Sequence, residues 1–234
     1  MKIGLFLNAK PTDGGAFQYS CSILHALSSI NTTQFFVIII YTNRHWIGPV
    51  SETGLTSFYL PAGIWTFLAR KRIGRHIPLA WWRRLCTFFH PTVKTMSQHD
   101  CDLWIYPNQD TWTYLCPFPA LGTVYDLMHR YEKQFPEVSA KGIYDSRERH
   151  YTNLCQFSKA ILVDSNLGKK QVVESYKISP GKVFILPFVA ATRRSKDITN
   201  ETSKIVVLSS ILCKMFIGQF FEERQAFMHF SDRG

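Results

Sequence analysis

The chain has 234 residues, 46% of them hydrophobic, 15% aromatic and 19% charged, enough for one large domain or two small ones with a core that needs neither metal nor disulfide. This composition excludes a disordered chain, a collagen and a coiled coil. With 27 Lys and Arg against 17 Asp and Glu, the formal charge of +10 favours an anionic partner without choosing among nucleic acid, a phosphorylated small molecule and a lipid headgroup.

In chain order, Lys2 to Leu7 is almost continuously apolar, the pattern of a strand buried on both faces of a parallel sheet. A loop from Asn8 ends in Asp13-Gly14-Gly15, and Tyr19, Ile23, Ala26, Leu27 and Ile30 then recur at helical spacing. The first unit therefore reads strand, glycine turn, helix. Phe36 to Tyr41 is a β-branched second strand and Leu55 to Leu60 a third. Helical periodicity covers roughly 62 to 75 and 79 to 97, on either side of Pro78. Strands return at Leu103 to Tyr106 and Ala120 to Tyr125, and a long helix is expected from Pro136 to Phe157. Ala160 to Asp164 reads as a buried strand, and Ser165 as the N-cap of a helix holding Val172 and Tyr176. Val183 to Leu186 closes the series.

Strands alternating with helices imply βαβ crossovers, so residues 1–190 are expected to form a doubly wound, Rossmann-like α/β domain with a mostly parallel sheet. Ligands of such domains bind beyond the carboxyl ends of the strands, which places Asn8 to Gly15, Asn108 and Tyr125 to Arg130 on the functional rim. Residues 191–203 have a linker's polar composition, and beyond them only Ile205 to Leu208 reads as a strand. Some 30 residues are too few for a second layered core, so the chain reads as cut short within 191–234.

Six cysteines, at 21, 86, 101, 116, 155 and 213, form no CxxC pair, which argues against structural zinc and for a reducing compartment. The apolar run near the N-terminus is too short for a signal peptide or a membrane span, so a cytoplasmic location is expected.

Gly14 and Gly15 at the head of a helix permit close approach of a ligand, and the exposed N–H groups of a first helical turn suit a phosphate or carboxylate. A plain turn is the alternative. The loop is neither GxGxxG nor a P-loop, which disfavours dinucleotide oxidoreductases and nucleotide hydrolases. The segment 123–130, TVYDLMHR, places a phenol, a carboxylate, an imidazole and a guanidinium just past a strand. Asp126 could accept sugar hydroxyls or a proton, and His129 and Arg130 could face an anion; alternatively Asp126 caps a turn and His129 packs against a loop.

These pieces, together with SKAILVDSNLGKKQVVESYKISPGKVFILPF from Ser158, resemble the retaining nucleotide-sugar glycosyltransferases of family 4 (group 1) over residues 1–190. The resemblance implies the amino-terminal, acceptor-side half of a GT-B fold, in which Gly14 and Gly15 lie beside the donor phosphates. Asp126 matches the aspartate near the reaction centre, while Tyr125 stands where the family often has histidine, and a neutral phenol cannot serve as an imidazole. Ser165 matches the serine after the sixth strand. The family's glutamate-rich donor motif has no counterpart after 190, since Glu222 and Glu223 are adjacent.

The resemblance further implies transfer of a sugar from a nucleotide-sugar cosubstrate, with no other cofactor and no metal, to a glycan or lipid-linked acceptor in polysaccharide or glycoconjugate biosynthesis. Asp126 is then the catalytic candidate, and Gly14, Gly15, Asn108, Tyr125, His129, Arg130 and Ser165 are the substrate-binding ones. A chain lacking the donor half is expected to be inactive alone, and a noncatalytic binding protein that retains only the acceptor-side fold is the alternative. No acid occurs between Glu52 and Asp100, whereas Arg70, Lys71, Arg72, Arg75, Arg83, Arg84 and Lys94 all fall there among several aromatics. That interval is either a solvated basic face or a peripheral contact with an anionic membrane surface. Specific nucleic-acid binding is disfavoured, because no RNP or zinc-finger pattern occurs.

Overall fold

A computed structural model describes residues 1–30, 35–61, 78–140, 142–188 and 206–213. Seven strands, β1 (Lys2–Leu7), β2 (Phe36–Tyr41), β3 (Thr56–Tyr59), β4 (Leu103–Ile105), β5 (Ala120–Thr123), β6 (Ala160–Val163) and β7 (Val183–Ile185), form one sheet in the order β3-β2-β1-β4-β5-β6-β7. Every neighbouring pair is parallel. The chain runs outward from β1 to β3, returns to place β4 beside β1, and then runs outward the other way. The expected doubly wound α/β class is the one observed, and its topological switch lies between β1 and β4.

Parallel strands need crossovers, and the described ones are helical. They are α1 (Gly15–Ser29), α2 (Ile47–Ser51), α3 (Leu79–Phe89), α4 (Pro91–Gln98), α5 (Trp112–Leu115), α6 (Met128–Tyr131), α7 (Pro136–Ser139), α8 (Ile143–Phe157) and α9 (Asn166–Tyr176), followed by α10 over 206–213. The helix expected at 62–75 lies outside the described residues.

The inner strands are apolar on both faces because both faces are covered. Ile3, Leu5, Leu7, Val37, Ile39, Leu103 and Ile105 join Tyr19, Ile23, Leu24 and Leu27 of α1 in one core cluster. Phe6, Ile38, Ile40, Trp104 and Ile161 join Trp82 and Cys86 of α3, Val93 and Met96 of α4, and Tyr151 and Leu154 of α8 in the other. Each fully buried Leu or Ile contributes about 1.5–3 kcal/mol relative to exposure.

Three expectations are corrected. The helix expected over 79–97 is two helices, because His90 is extended (φ −89°, ψ 116°) ahead of Pro91, whose ring disfavours the helical region in the residue before it. The helix expected over 136–157 is also broken: α8 starts only after Gly142, which adopts a left-handed φ of 75°. Residues 206–213 form a helix, not the strand expected at 205–208. Leu208, Ile211 and Leu212 recur at helical spacing, and all three are buried in the cluster built on β1, β2 and α1.

Candidate functional site

The switch between β1 and β4 sets the carboxyl ends of these strands and their following loops at the usual place for a ligand in this class. There the loops form a knot of short polar side chains. Asn8, just past β1, donates through Nδ2 to Asp110, and Asn108 donates through Nδ2 to Asn8 Oδ1 at 3.1 Å. The largely buried Asp110 also accepts from the Trp112 N–H at 3.0 Å. On the other side Asn43 donates to the Asn8 and Ala9 carbonyls at 2.9 and 3.1 Å, and the Trp46 indole donates to Ala9 O at 2.8 Å. These bonds hold the strand-to-loop exit through its backbone carbonyls.

Past this knot the loop after β1 turns at Gly14, whose φ of 56° and ψ of −114° suit glycine alone, and α1 begins at Gly15. No side chain caps the first turn of α1, and a Cβ placed on Gly14 or Gly15 would meet nothing within 4 Å. The Gly14 N–H itself donates to Pro11 O at 3.3 Å, so the uncapped first turn begins at Gly15. In the loop itself Asp13 accepts from the Lys10 N–H at 2.7 Å.

Tyr125 joins this loop to the rim beyond β5. Its hydroxyl donates to Pro107 O at 2.7 Å, and its ring meets Tyr19 of α1 edge-on at 6.0 Å and Phe188 at 5.0 Å. Tyr19 and Phe188 touch each other at 4.5 Å, so three aromatics tie α1, the β5 exit and the chain beyond β7 together. Burial and then the nearby Asp13 carboxylate push the Tyr125 phenol well above its ordinary value, so the group is neutral near pH 7.

Tyr125 also lines a groove of about 230 Å³ between the β5 exit and α9, shared with Asp126, Tyr131, Glu132, Asp164 and Ser165. Asp126 Oδ1 accepts from the Met128 N–H at 3.0 Å and pairs with Arg147 of α8 at 3.2 Å. Ser165 caps α9, accepting from the Gly168 N–H at 3.1 Å while donating to Asp164 at 2.9 Å.

Of the sequence candidates, Gly14, Gly15 and Asn108 lie in the loops after β1 and β4, Tyr125 reaches the β4 exit through Pro107 O, and Tyr125, Asp126 and Ser165 share the groove beside α9. His129 and Arg130 do not line that groove. His129 is fully buried, stacks on Tyr151 at 5.2 Å and approaches Glu148 of α8 at 3.3 Å. Burial outweighs Glu148 and lowers its pKa, which favours neutral imidazole. Arg130 binds the same Glu148 through both Nε, at 2.8 Å, and Nη2, and it lies 4.9 Å over the Tyr176 ring. Burial alone would raise Glu148, but the Arg130 hydrogen bonds and charge hold it below the usual carboxylate range. Both side chains are thus paired internally with α8, in line with the alternative in which His129 packs within the fold.

Sequence reasoning missed Arg147 and Glu148, which decide what Asp126 and Arg130 do, and the Asn8–Asn108–Asp110 knot as a unit. For the knot the available signal was the cluster of short polar residues after two adjacent strands. Arg147 and Glu148 gave no local signal, since they lie 18 to 21 residues downstream of their partners. Among the described residues no group of three or more His, Cys, Asp and Glu side chains is placed to hold a metal ion. The six cysteines are free thiols, and burial pushes Cys86 and Cys101 up to about 11.

No family model and no curated protein matches the chain. Among solved structures it is similar to a glycosyltransferase from Rickettsia africae, with 15% identity and a TM-score of 0.43 over 80% of this chain and 42% of that one. It is similar also to a UDP-GlcNAc 2-epimerase from Methanocaldococcus jannaschii, with 14% identity and a TM-score of 0.45 over 79% of this chain and 45% of that one. A third is the calicheamicin glycosyltransferase, with 11% identity and a TM-score of 0.39 over 81% and 53% of the two chains. The chain thus spans about half the length of these structures.

Proposed function

We propose that this chain is the acceptor-side half of a retaining nucleotide-sugar glycosyltransferase of family 4, acting at the cytoplasmic face of a membrane in polysaccharide or glycoconjugate assembly. The observation that carries the reading is an uncapped α1 start at Gly14-Gly15 after β1, with Tyr125 of the β5 exit packed edge-on against Tyr19 of the same helix. A leaving nucleoside diphosphate gains negative charge as the sugar departs. The first-turn N–H groups of α1 would meet that charge with preorganised dipoles. Both protein contacts of Asp126 fall on Oδ1, so Oδ2 is the oxygen that would take a hydroxyl of the sugar or acceptor. The neutral Tyr125 phenol would orient the substrate rather than exchange a proton. Domain 1–190 would carry these groups, and the remaining donor contacts would come from a second Rossmann-like domain after the 191–203 linker.

A noncatalytic glycan-binding role is the second reading, supported by the pairing of Asp126 and Arg130 with α8. One experiment separates the two. The full chain is joined to the donor domain of a family-4 glycosyltransferase, and nucleotide release from UDP-glucose, UDP-GlcNAc and GDP-mannose is measured against the donor domain alone. The enzyme reading expects release from at least one donor, lowered about a hundredfold by Asp126→Asn, the scale of one general-acid or orienting group. Release no greater than that of the donor domain alone would reject it in favour of binding only.

A further inference from the structure

Helix α3 is apolar on two sides, and only one of them is used by the core. Trp82 and Cys86 are buried against the sheet, and Arg83 is pinned inward, donating to Tyr114 O at 2.6 Å and lying 5.0 Å over the Phe157 ring. The orientation of the helix is therefore fixed. On the opposite side Trp81 is 62% exposed, Leu85 43% and Phe88 82%, the last being the most exposed large apolar side chain among the described residues. At about 100° per residue these three fall within about 60° of one another, and Phe89, 40% exposed, borders them. Exposed Arg84 flanks the stripe, and exposed Lys94 of the adjoining α4 adds a second cation.

We propose that this face of α3 docks on an anionic lipid bilayer, with Trp81, Leu85 and Phe88 entering the headgroup boundary and Arg84 and Lys94 meeting lipid phosphates. Charge complementarity selects the occupant. Among the described residues 78–99 the exposed cations are Arg84 and Lys94 and no Asp or Glu occurs, so a second copy pairing through this face would set like charges against each other. A bilayer with negative headgroups reverses that repulsion and takes aromatic side chains at its interface. No described helix is long and apolar enough to cross a membrane, and 11 residues of α3 extend only about 16 Å, so the helix would lie in the plane of the interface.

The proposal is independent of sugar transfer, because its test reads lipid binding and not turnover. The full chain is cosedimented with vesicles of phosphatidylcholine alone and of phosphatidylcholine mixed with phosphatidylglycerol. Binding is expected at least tenfold tighter on the mixed vesicles. Arg84→Glu/Lys94→Glu is expected to weaken it about thirtyfold, at roughly 1 kcal/mol per basic group, and Trp81→Ser/Phe88→Ser about a hundredfold. All four side chains are exposed, so thermal unfolding should stay at the wild-type midpoint; Arg83 is left intact because its contacts are internal. Equal binding to the two vesicle types, undiminished binding by either folded variant, or a dimer that Trp81→Ser/Phe88→Ser dissolves would each overturn the proposal.

Discussion

Two helices begin at the carboxyl edge of the sheet, and they treat their first N–H groups in opposite ways. α1, after β1, starts at a glycine pair with no side-chain cap and open space around it. α9, after β6, is closed by Ser165, whose hydroxyl accepts from Gly168 while donating to Asp164. The β5 exit beside α9 is largely paired within the chain: Asp126 Oδ1 pairs with Arg147, while His129 and Arg130 share Glu148. The richer collection of charged residues is thus the more internally paired, with Asp126 Oδ2 and His129 Nδ1 outside its pairs, and the plainer glycine loop is the one without a side-chain cap. A dense cluster of titratable groups marks a ligand site only when its partners are not supplied from within.

If this contrast is right, acid should attack the internally paired side. His150 of α8 meets the Tyr114 hydroxyl at 3.2 Å, and burial pulls its pKa down to about 4. An unfolded imidazole takes up a proton below its ordinary 6.5, whereas the folded one resists until about 4. His150 therefore leaves stability intact above pH 6.5 and removes about 3 kcal/mol as pH falls to 4, at about 1.4 kcal/mol per unit. The lowered pKa of His129 acts in the same direction. Urea unfolding at several pH values should show this loss in the wild type and a much flatter profile in His150→Gln.

A smaller effect isolates the carboxylate that holds the β5 exit to α8. Glu148→Gln removes the charge facing Arg130 and is expected to cost about 2 kcal/mol in urea unfolding at pH 7, the value of hydrogen bonds to a charged group. A loss under 0.5 kcal/mol would mean that the exit is held by packing alone.

The smallest changes compare the two helix starts directly. Ser165→Ala should cost about 1 kcal/mol, because it uncaps α9. Gly15→Ala should change stability by less than about 0.5 kcal/mol, since it enters open space in a helical first turn. If the α1 start holds donor phosphate, Gly15→Ala should still lower nucleotide release by the donor-domain fusion about tenfold while Ser165→Ala leaves it near wild type. The reverse ranking would move the anion site to α9.

Most of the sheet was readable because buried parallel strands are apolar throughout, and β2 follows the sequence expectation at both ends. The Ser165 cap was readable for a local reason, a serine between a buried strand and an amphipathic helix. Helix breaks were missed where a single backbone conformation decides, at His90 before Pro91 and at Gly142. The β-branched pair Val206-Val207 concealed a helix whose burial depends on a distant core. The roles of Asp126, His129 and Arg130 could not be read locally, because Arg147 and Glu148 reach them only once α8 has folded back across the β5 exit.

The return of α10 to the oldest part of the core bears on synthesis. Leu208, Ile211 and Leu212 complete a cluster that begins with Ile3 and Leu5, about 200 residues earlier. At about 5–20 residues per second, a ribosome takes about 10–40 s to make that interval. During this time the nascent β1 face lacks its last cover, so a chaperone that shields apolar surface should meet this protein while it is still being made.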